Sequence, residues 1–186
     1  MRIAATLAIV AGLASGAAAG ILQGVTLPDT TTVAGKRLVL NGMGLRQATF
    51  LKVDVYVAGL YLEAPSSNPG QILQSNQTKQ ITLKFMRDVG RGDIVKAWSE
   101  GFHKNATVPE AQLRSRIDQL NSWMVGFKNG DVLSFTSVPG SGVSVDINGV
   151  HKGTIQGDDF AQSLFAIWLG EHPPGGDLKK GLLGRH

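Results

Sequence analysis

Apolar and polar residues alternate through residues 52–62, with Val53, Val55, Val57 and Tyr61 on one face and Asp54, Tyr56, Ala58 and Leu60 on the other, the period-two signature of a β-strand. That period leaves Tyr56 on the face with less hydrocarbon at its start. Shorter runs of the same kind predict strands over 37–40, 45–51 and 79–87. The period then lengthens. Ile94, Trp98 and Phe102 recur four apart within 92–104, and Leu113, Ile117, Leu120 and Met124 keep helical spacing after Thr107-Val108-Pro109-Glu110, a capping-box pattern with an early proline. Strands return over 132–138, 143–147 and 150–155, the last two joined by Asn148-Gly149, a pair that tolerates the positive φ of a hairpin turn. Asp158 is placed to cap a helix carrying Phe160, Leu164, Phe165, Trp168 and Leu169, which Pro173-Pro174 ends, and 177–183 reads as a last short helix. The Thr-rich stretch 20–36 reads as a loop or edge segment, and 65–77, rich in Ser, Asn, Pro and Gly, as a surface loop or short helix.

A strand-rich first half, two helices, a hairpin and a closing helix sum to an α+β domain, an antiparallel sheet with helices packed on one face. No internal repeat or linker divides it. Residues 1–19 have the composition of a secretory signal peptide, with Arg2 at the start, an apolar run over 3–13 and small residues at Ala17-Ala18-Ala19. The expected organisation is therefore a leader over 1–19 and one domain over 20–186, in a periplasmic or secreted location. No later segment is apolar for long enough to span a bilayer as a helix.

Composition narrows the chemistry. Hydrophobic residues make up 42% and charged residues 17% of the chain, ordinary for a domain that buries a core. Cysteine is absent, so neither thiol catalysis nor thiolate metal binding is available. The formal charge of +4 is spread among interleaved acids and bases, which argues against a nucleic-acid-binding face. His103, His151, His172 and His186 show no paired metal spacing and read as surface residues, the serines show no nucleophile elbow, and Gly42-x-Gly44-x-x-Gln47 lacks the third glycine of a dinucleotide loop. Gly42 and Gly44 read instead as a turn or a close approach of strands. No catalytic residue, metal site or cofactor is assigned.

Arg46 stands apart. On a strand it shares a face with Ala48 and Phe50, and a guanidinium cannot shed its proton. Either it faces an apolar layer and holds an anion there, it pairs with Asp54 or Glu63, or its face is solvated. Trp98, Phe102, Trp123 and Trp168 read as core, with Trp98 the one best placed to line a cleft.

Gly42-x-Gly44-x-Arg46, followed by the strand ending Gly59-Leu60-Tyr61-Leu62-Glu63, resembles the chalcone isomerase-like family, in particular its small bacterial secreted branch. The segment Gly157-Asp158-Asp159-Phe160 running into Ile167-Trp168-Leu169-Gly170-Glu171 agrees, as do Pro173 and Leu182-Leu183-Gly184. The resemblance covers 33–184 and implies an open-faced β-sandwich with a cleft between sheet and helices. It places Arg46 where plant isomerases orient an ionised chalcone and fatty-acid-binding members hold a carboxylate. It places Tyr56 where the plant enzymes carry threonine and the fatty-acid-binding branch tyrosine. Asp93 and Glu100 fall where the plant enzymes use a tyrosine and an asparagine on the substrate's ketone side. Carboxylates there would oppose a phenolate, so chalcone cyclisation is not expected. Asp93 itself reads as an early-turn carboxylate stabilising a helix N-terminus.

The expectation is a binder of a small hydrophobic acid such as a fatty acid, with Arg46, Tyr56 and Trp98 as ligand-binding residues. Two alternatives stand beside it, an isomerase of the intramolecular lyase type acting on another substrate and a ligand-free interaction module of the cell envelope. Oligomeric state is not legible.

Overall fold

A computed structural model describes residues 19–48 and 51–185; the leader pattern, apart from Ala19, and Phe50 and His186 lie outside the described residues. Seven strands form one antiparallel sheet in which each pairs with its sequence neighbours, β3 (Thr30–Val33), β4 (Lys36–Ala48), β5 (Val53–Leu62), β6 (Lys79–Phe85), β7 (Val132–Val138), β8 (Gly142–Ile147) and β9 (Val150–Ile155). A separate hairpin of β1 (Ala19–Leu22) and β2 (Val25–Pro28) precedes it. Helices α1 (Pro69–Gln74), α2 (Arg91–Asn105), α3 (Glu110–Trp123), α4 (Asp158–Leu169) and α5 (Gly176–Leu182) complete the chain. The expected α+β architecture, an open-faced sandwich with helices on one face, is the one observed.

The helix face of the sheet is the main core. Tyr56, Ala58, Leu60 and Leu62 of β5 pack there with Ile81, Leu83 and Phe85 of β6 and Phe135 of β7. Helix α4 is buried on every side because the sheet lies beneath it and α1, α2 and α5 surround it, which explains why its sequence shows an apolar run rather than a stripe. Ser163, wholly buried, accepts a hydrogen bond from Thr107 N at 3.0 Å. The opposite face is covered over β4 and β5, where Val25 and Leu27 of the hairpin close on Val57 beside Met43 and Leu45 and the Tyr61 hydroxyl donates to Pro28 O at 2.9 Å. Beyond that patch it presents a polar ladder, with Gln80 bonded to Thr136 and Thr82 beside Ser134.

Several expectations are corrected. Of the two readings of residues 20–36, the edge segment holds and the loop does not: they carry β1, β2 and the edge strand β3, for which threonine's branched side chain is suited. The two short strands expected on either side of Gly42 and Gly44 are one strand of 13 residues. The glycines break nothing; a Cβ on Gly42 would lie 2.1 Å from Gly181 O and one on Gly44 2.2 Å from Leu178 O, so they admit α5 onto the sheet backbone. Neither helix start uses the expected side chain. The N-cap of α3 is Pro109, with Thr107 turned to Ser163, and the N-cap of α4 is Gly157, with Asp158 already helical. The Asn148-Gly149 turn has φ of 51° and 76°, as its sequence requires.

Tyr56 shares its face with Ala58 and Leu60, as period two predicts, but that face is the apolar helix side throughout, because Asp54 does not continue it. A bulge in the β4–β5 ladder pairs Arg46 with Tyr56 but Gln47 with Asp54, leaving Val55 as the extra residue. The bulge turns Val55 to the helix side, where it packs on the core beside Tyr56.

Candidate functional site

Period two in β4 sets Gly42, Gly44, Arg46 and Ala48 in one row on the helix face, opposite Leu60, Ala58 and Tyr56 of β5. The first two positions lie under α5. Arg46 lies where α5 no longer covers the strand, and the space there is a cavity of about 720 Å³ between the ends of β4 and β5, helix α2, and the turn after α4. Buried Tyr56, Phe85, Ile94, Trp98 and Ile167 form its interior, and exposed Arg87, Asp93, Lys96, Glu100 and Lys104 its rim. Arg46 is half-buried between the two zones. Gly101 lines the cavity at a point where a Cβ would come within 2.8 Å of the Ile167 side chain, so α2 and α4 approach closely at this wall.

Arg46 Nη1 donates to Gln47 O. Among the described residues no carboxylate pairs with the guanidinium. The two acids that sequence offered are engaged elsewhere: Asp54 accepts from Gln47 Nε2 at 2.7 Å, and Glu63 accepts from Lys36 Nζ at 2.9 Å and Thr78 N at 2.6 Å. The internal ion pair is thus not made.

Tyr56 sits across the ladder from Arg46, 6% exposed. Trp168 Nε1 donates to its hydroxyl oxygen at 3.0 Å. Burial pushes the phenol up to about 12, against the opposing pulls of the Trp168 hydrogen bond and the Arg46 charge, so the hydroxyl keeps its proton at neutral pH. Trp98 is 3% exposed, its ring 5.5 Å from that of Trp168 and edge-on to Phe135 at 5.9 Å, and its indole nitrogen has no hydrogen-bond partner among the described residues.

The structure therefore gathers Arg46, Tyr56 and Trp98 around one cavity. Asp93 and Glu100 line it too, Asp93 in the first turn of α2 and Glu100 within 4.0 Å of Lys96 and 3.8 Å of Lys104. Phe102 and Trp168 are core, and Trp123 is half-buried against Gly153. His172 is exposed at the cavity mouth. Sequence reasoning took Trp168 as filling alone, although a buried indole N–H calls for an acceptor, and missed Val55 because nothing in the strand marks the bulge. Chemically, the cavity offers a cation and a protonated phenol above an apolar interior, with acidic groups confined to the rim.

Among the described residues no group of three or more His, Cys, Asp or Glu side chains converges as a metal site, and no helix is long and apolar enough to cross a membrane. A second hollow, more open and lined by Lys104, Glu171, Lys179, Lys180 and Arg185, adjoins the cavity mouth through Lys104, His172 and Pro173.

No curated protein matches the chain in sequence. Among solved structures, the crystal structure of the Arabidopsis thaliana fatty-acid binding protein is similar in fold, with a TM-score of 0.68 at 18% identity over 89% of this chain and 96% of that one. The family model described as chalcone isomerase-like matches residues 19–184, a span that takes in both the glycine-arginine row of β4 and the α4–α5 segment packed against it, and the chain belongs to the chalcone isomerase-like family.

Proposed function

We propose that the cavity binds a small hydrophobic acid such as a fatty acid and does not transform it. Arg46 holds the carboxylate, Tyr56 donates its hydroxyl hydrogen to the same group, and Ile94, Trp98 and Ile167 enclose the start of the chain. The observation that carries this reading is the half-buried guanidinium beside a buried phenol with no carboxylate on it among the described residues. A cation and a neutral donor converging in a mostly apolar space suit an ionised acid. The likeness to a fatty-acid binding protein supports the same ligand class. A phenol held near 12 is a poor proton shuttle at neutral pH, which favours binding over turnover.

The leader pattern over 1–19 supports an exported protein, periplasmic or secreted and of the bacterial secreted branch, whose single domain follows it; an N-terminus of the isolated protein at Gly20 is the expected result, and one at Met1 would contradict it. For the ligand, calorimetric titration of decanoate into the wild type and Arg46→Ala tests the site. Loss of a charge-assisted pair should weaken binding by about tenfold or more. Equal affinity in the two proteins would remove Arg46 from the site.

A further inference from the structure

Trp168 does not line the cavity, yet it fixes what the cavity can do. The residue is wholly buried on α4, and its ring is held by Trp98 at 5.5 Å and Phe135 at 5.8 Å. An indole nitrogen can donate a hydrogen bond and cannot accept one. Its 3.0 Å contact with the Tyr56 hydroxyl therefore has one polarity: the phenol oxygen accepts. The Tyr56 hydrogen is left for a partner on another side, and Tyr56 itself lines the cavity beside Arg46.

We propose that Trp168 is a positioning residue that makes Tyr56 an obligate donor into the cavity, so that the site selects ionised acids over head groups that must themselves donate, such as primary amides. This inference rests on the acid-binding reading above. Without Trp168 the hydroxyl could turn its hydrogen aside and accept from an amide NH₂. With Trp168 in place, one lone pair is occupied, and the hydrogen points away from the indole. Arg46 already favours the charged head group; the Trp168–Tyr56 pair adds to that preference, because two fixed donors suit a carboxylate's two acceptor oxygens and a primary amide offers only one.

The test is titration of decanoate and decanamide into the wild type, Trp168→Phe, Tyr56→Phe and the double variant. Wild type should prefer the acid, and Trp168→Phe should reduce the acid-to-amide preference about three- to tenfold, the range of one hydrogen bond. In the Tyr56→Phe background the same substitution should change the preference less than about twofold, because its effect runs through the hydroxyl. An unchanged preference in Trp168→Phe, or an equal change in both backgrounds, would overturn the inference and leave the acid site standing, provided that Arg46→Ala still weakens decanoate. Wild type that binds neither compound would overturn both. Should Trp168→Phe not fold, the indole ¹H–¹⁵N signal of Trp168 gives the readout. It should move upfield in Tyr56→Phe and downfield when decanoate binds to wild type, since a phenol that donates to a carboxylate becomes a better acceptor; a signal indifferent to both would overturn the inference.

Discussion

Arg46 and Tyr56 face each other across the β4–β5 ladder, and each needs the other's surroundings to have a role. A guanidinium on a strand is tolerable here because the strand runs out from under α5 and the cation meets a space that reaches the rim. A phenol is tolerable because Trp168 takes one of its lone pairs. Tyr56→Phe should therefore have two effects. It leaves the buried Trp168 N–H without an acceptor, which costs about 1–3 kcal/mol of stability, to be read from denaturant unfolding. It also weakens decanoate several-fold in the calorimetric titration. A variant as stable as wild type would mean that the 3.0 Å contact contributes nothing to the fold.

At the scale of elements, the cavity exists because α5 stops short of Arg46. The glycines that bring α5 down onto β4 do so at backbone contact, and Gly181 meets Met43 O from the other side at 2.2 Å from where its Cβ would be. Asn41, the extra residue of a second bulge, anchors the far end by donating to Leu182 O at 2.8 Å. Gly44→Ala should lower stability by about 1–3 kcal/mol through overpacking, measured as a fall in unfolding midpoint; an unchanged midpoint would show that the helix can lift freely. A different joint ties β4, β5 and β6 together. Glu63 accepts from Lys36 Nζ and Thr78 N, and these bonds hold its carboxyl down at about 2 from the usual 4.5. A lowered folded-state value contributes stability above the ordinary range and loses it as pH falls toward 2. The thermal midpoint of wild type should drop between pH 5 and 2, and Glu63→Gln should start lower and show a shallower acid limb. Parallel curves would assign the acid sensitivity elsewhere, to Asp159 with its Arg116 partner at 2.7 Å or Asp88 with Lys128 at 2.7 Å, both also held below their usual range.

For the molecule as a whole, the order of strands and helices from residue 79 onward is written in the periodicity, because each element there has one buried face or a strong turn such as Asn148-Gly149. The first sixty residues are less legible. Glycines at 42 and 44 look like breaks in a strand, and only the position of α5, more than a hundred residues away in sequence, shows that they are contacts. The bulge at Val55 has no residue signature, and it decides which way Val55 and Asp54 face. Arg46 was visible as a charge out of place, but its lack of a partner among Asp54 and Glu63 depended on where Lys36, Gln47 and Thr78 fall. The pairing of Trp168 with Tyr56, 112 positions apart, is likewise a product of the fold. On the proposed reading, these pieces together make an anion seat inside an apolar cavity. Its ionisation preference can be read from the ligand: a ¹³C-carboxyl decanoate followed by NMR through a pH titration while bound. Wild type should show the bound carboxyl titrating below its value in free solution, because Arg46 and Tyr56 favour the ionised form, and Arg46→Ala should raise it above that value as burial takes over. A bound carboxyl that titrates at or above its free value in wild type, unmoved by Arg46→Ala, would contradict the seat.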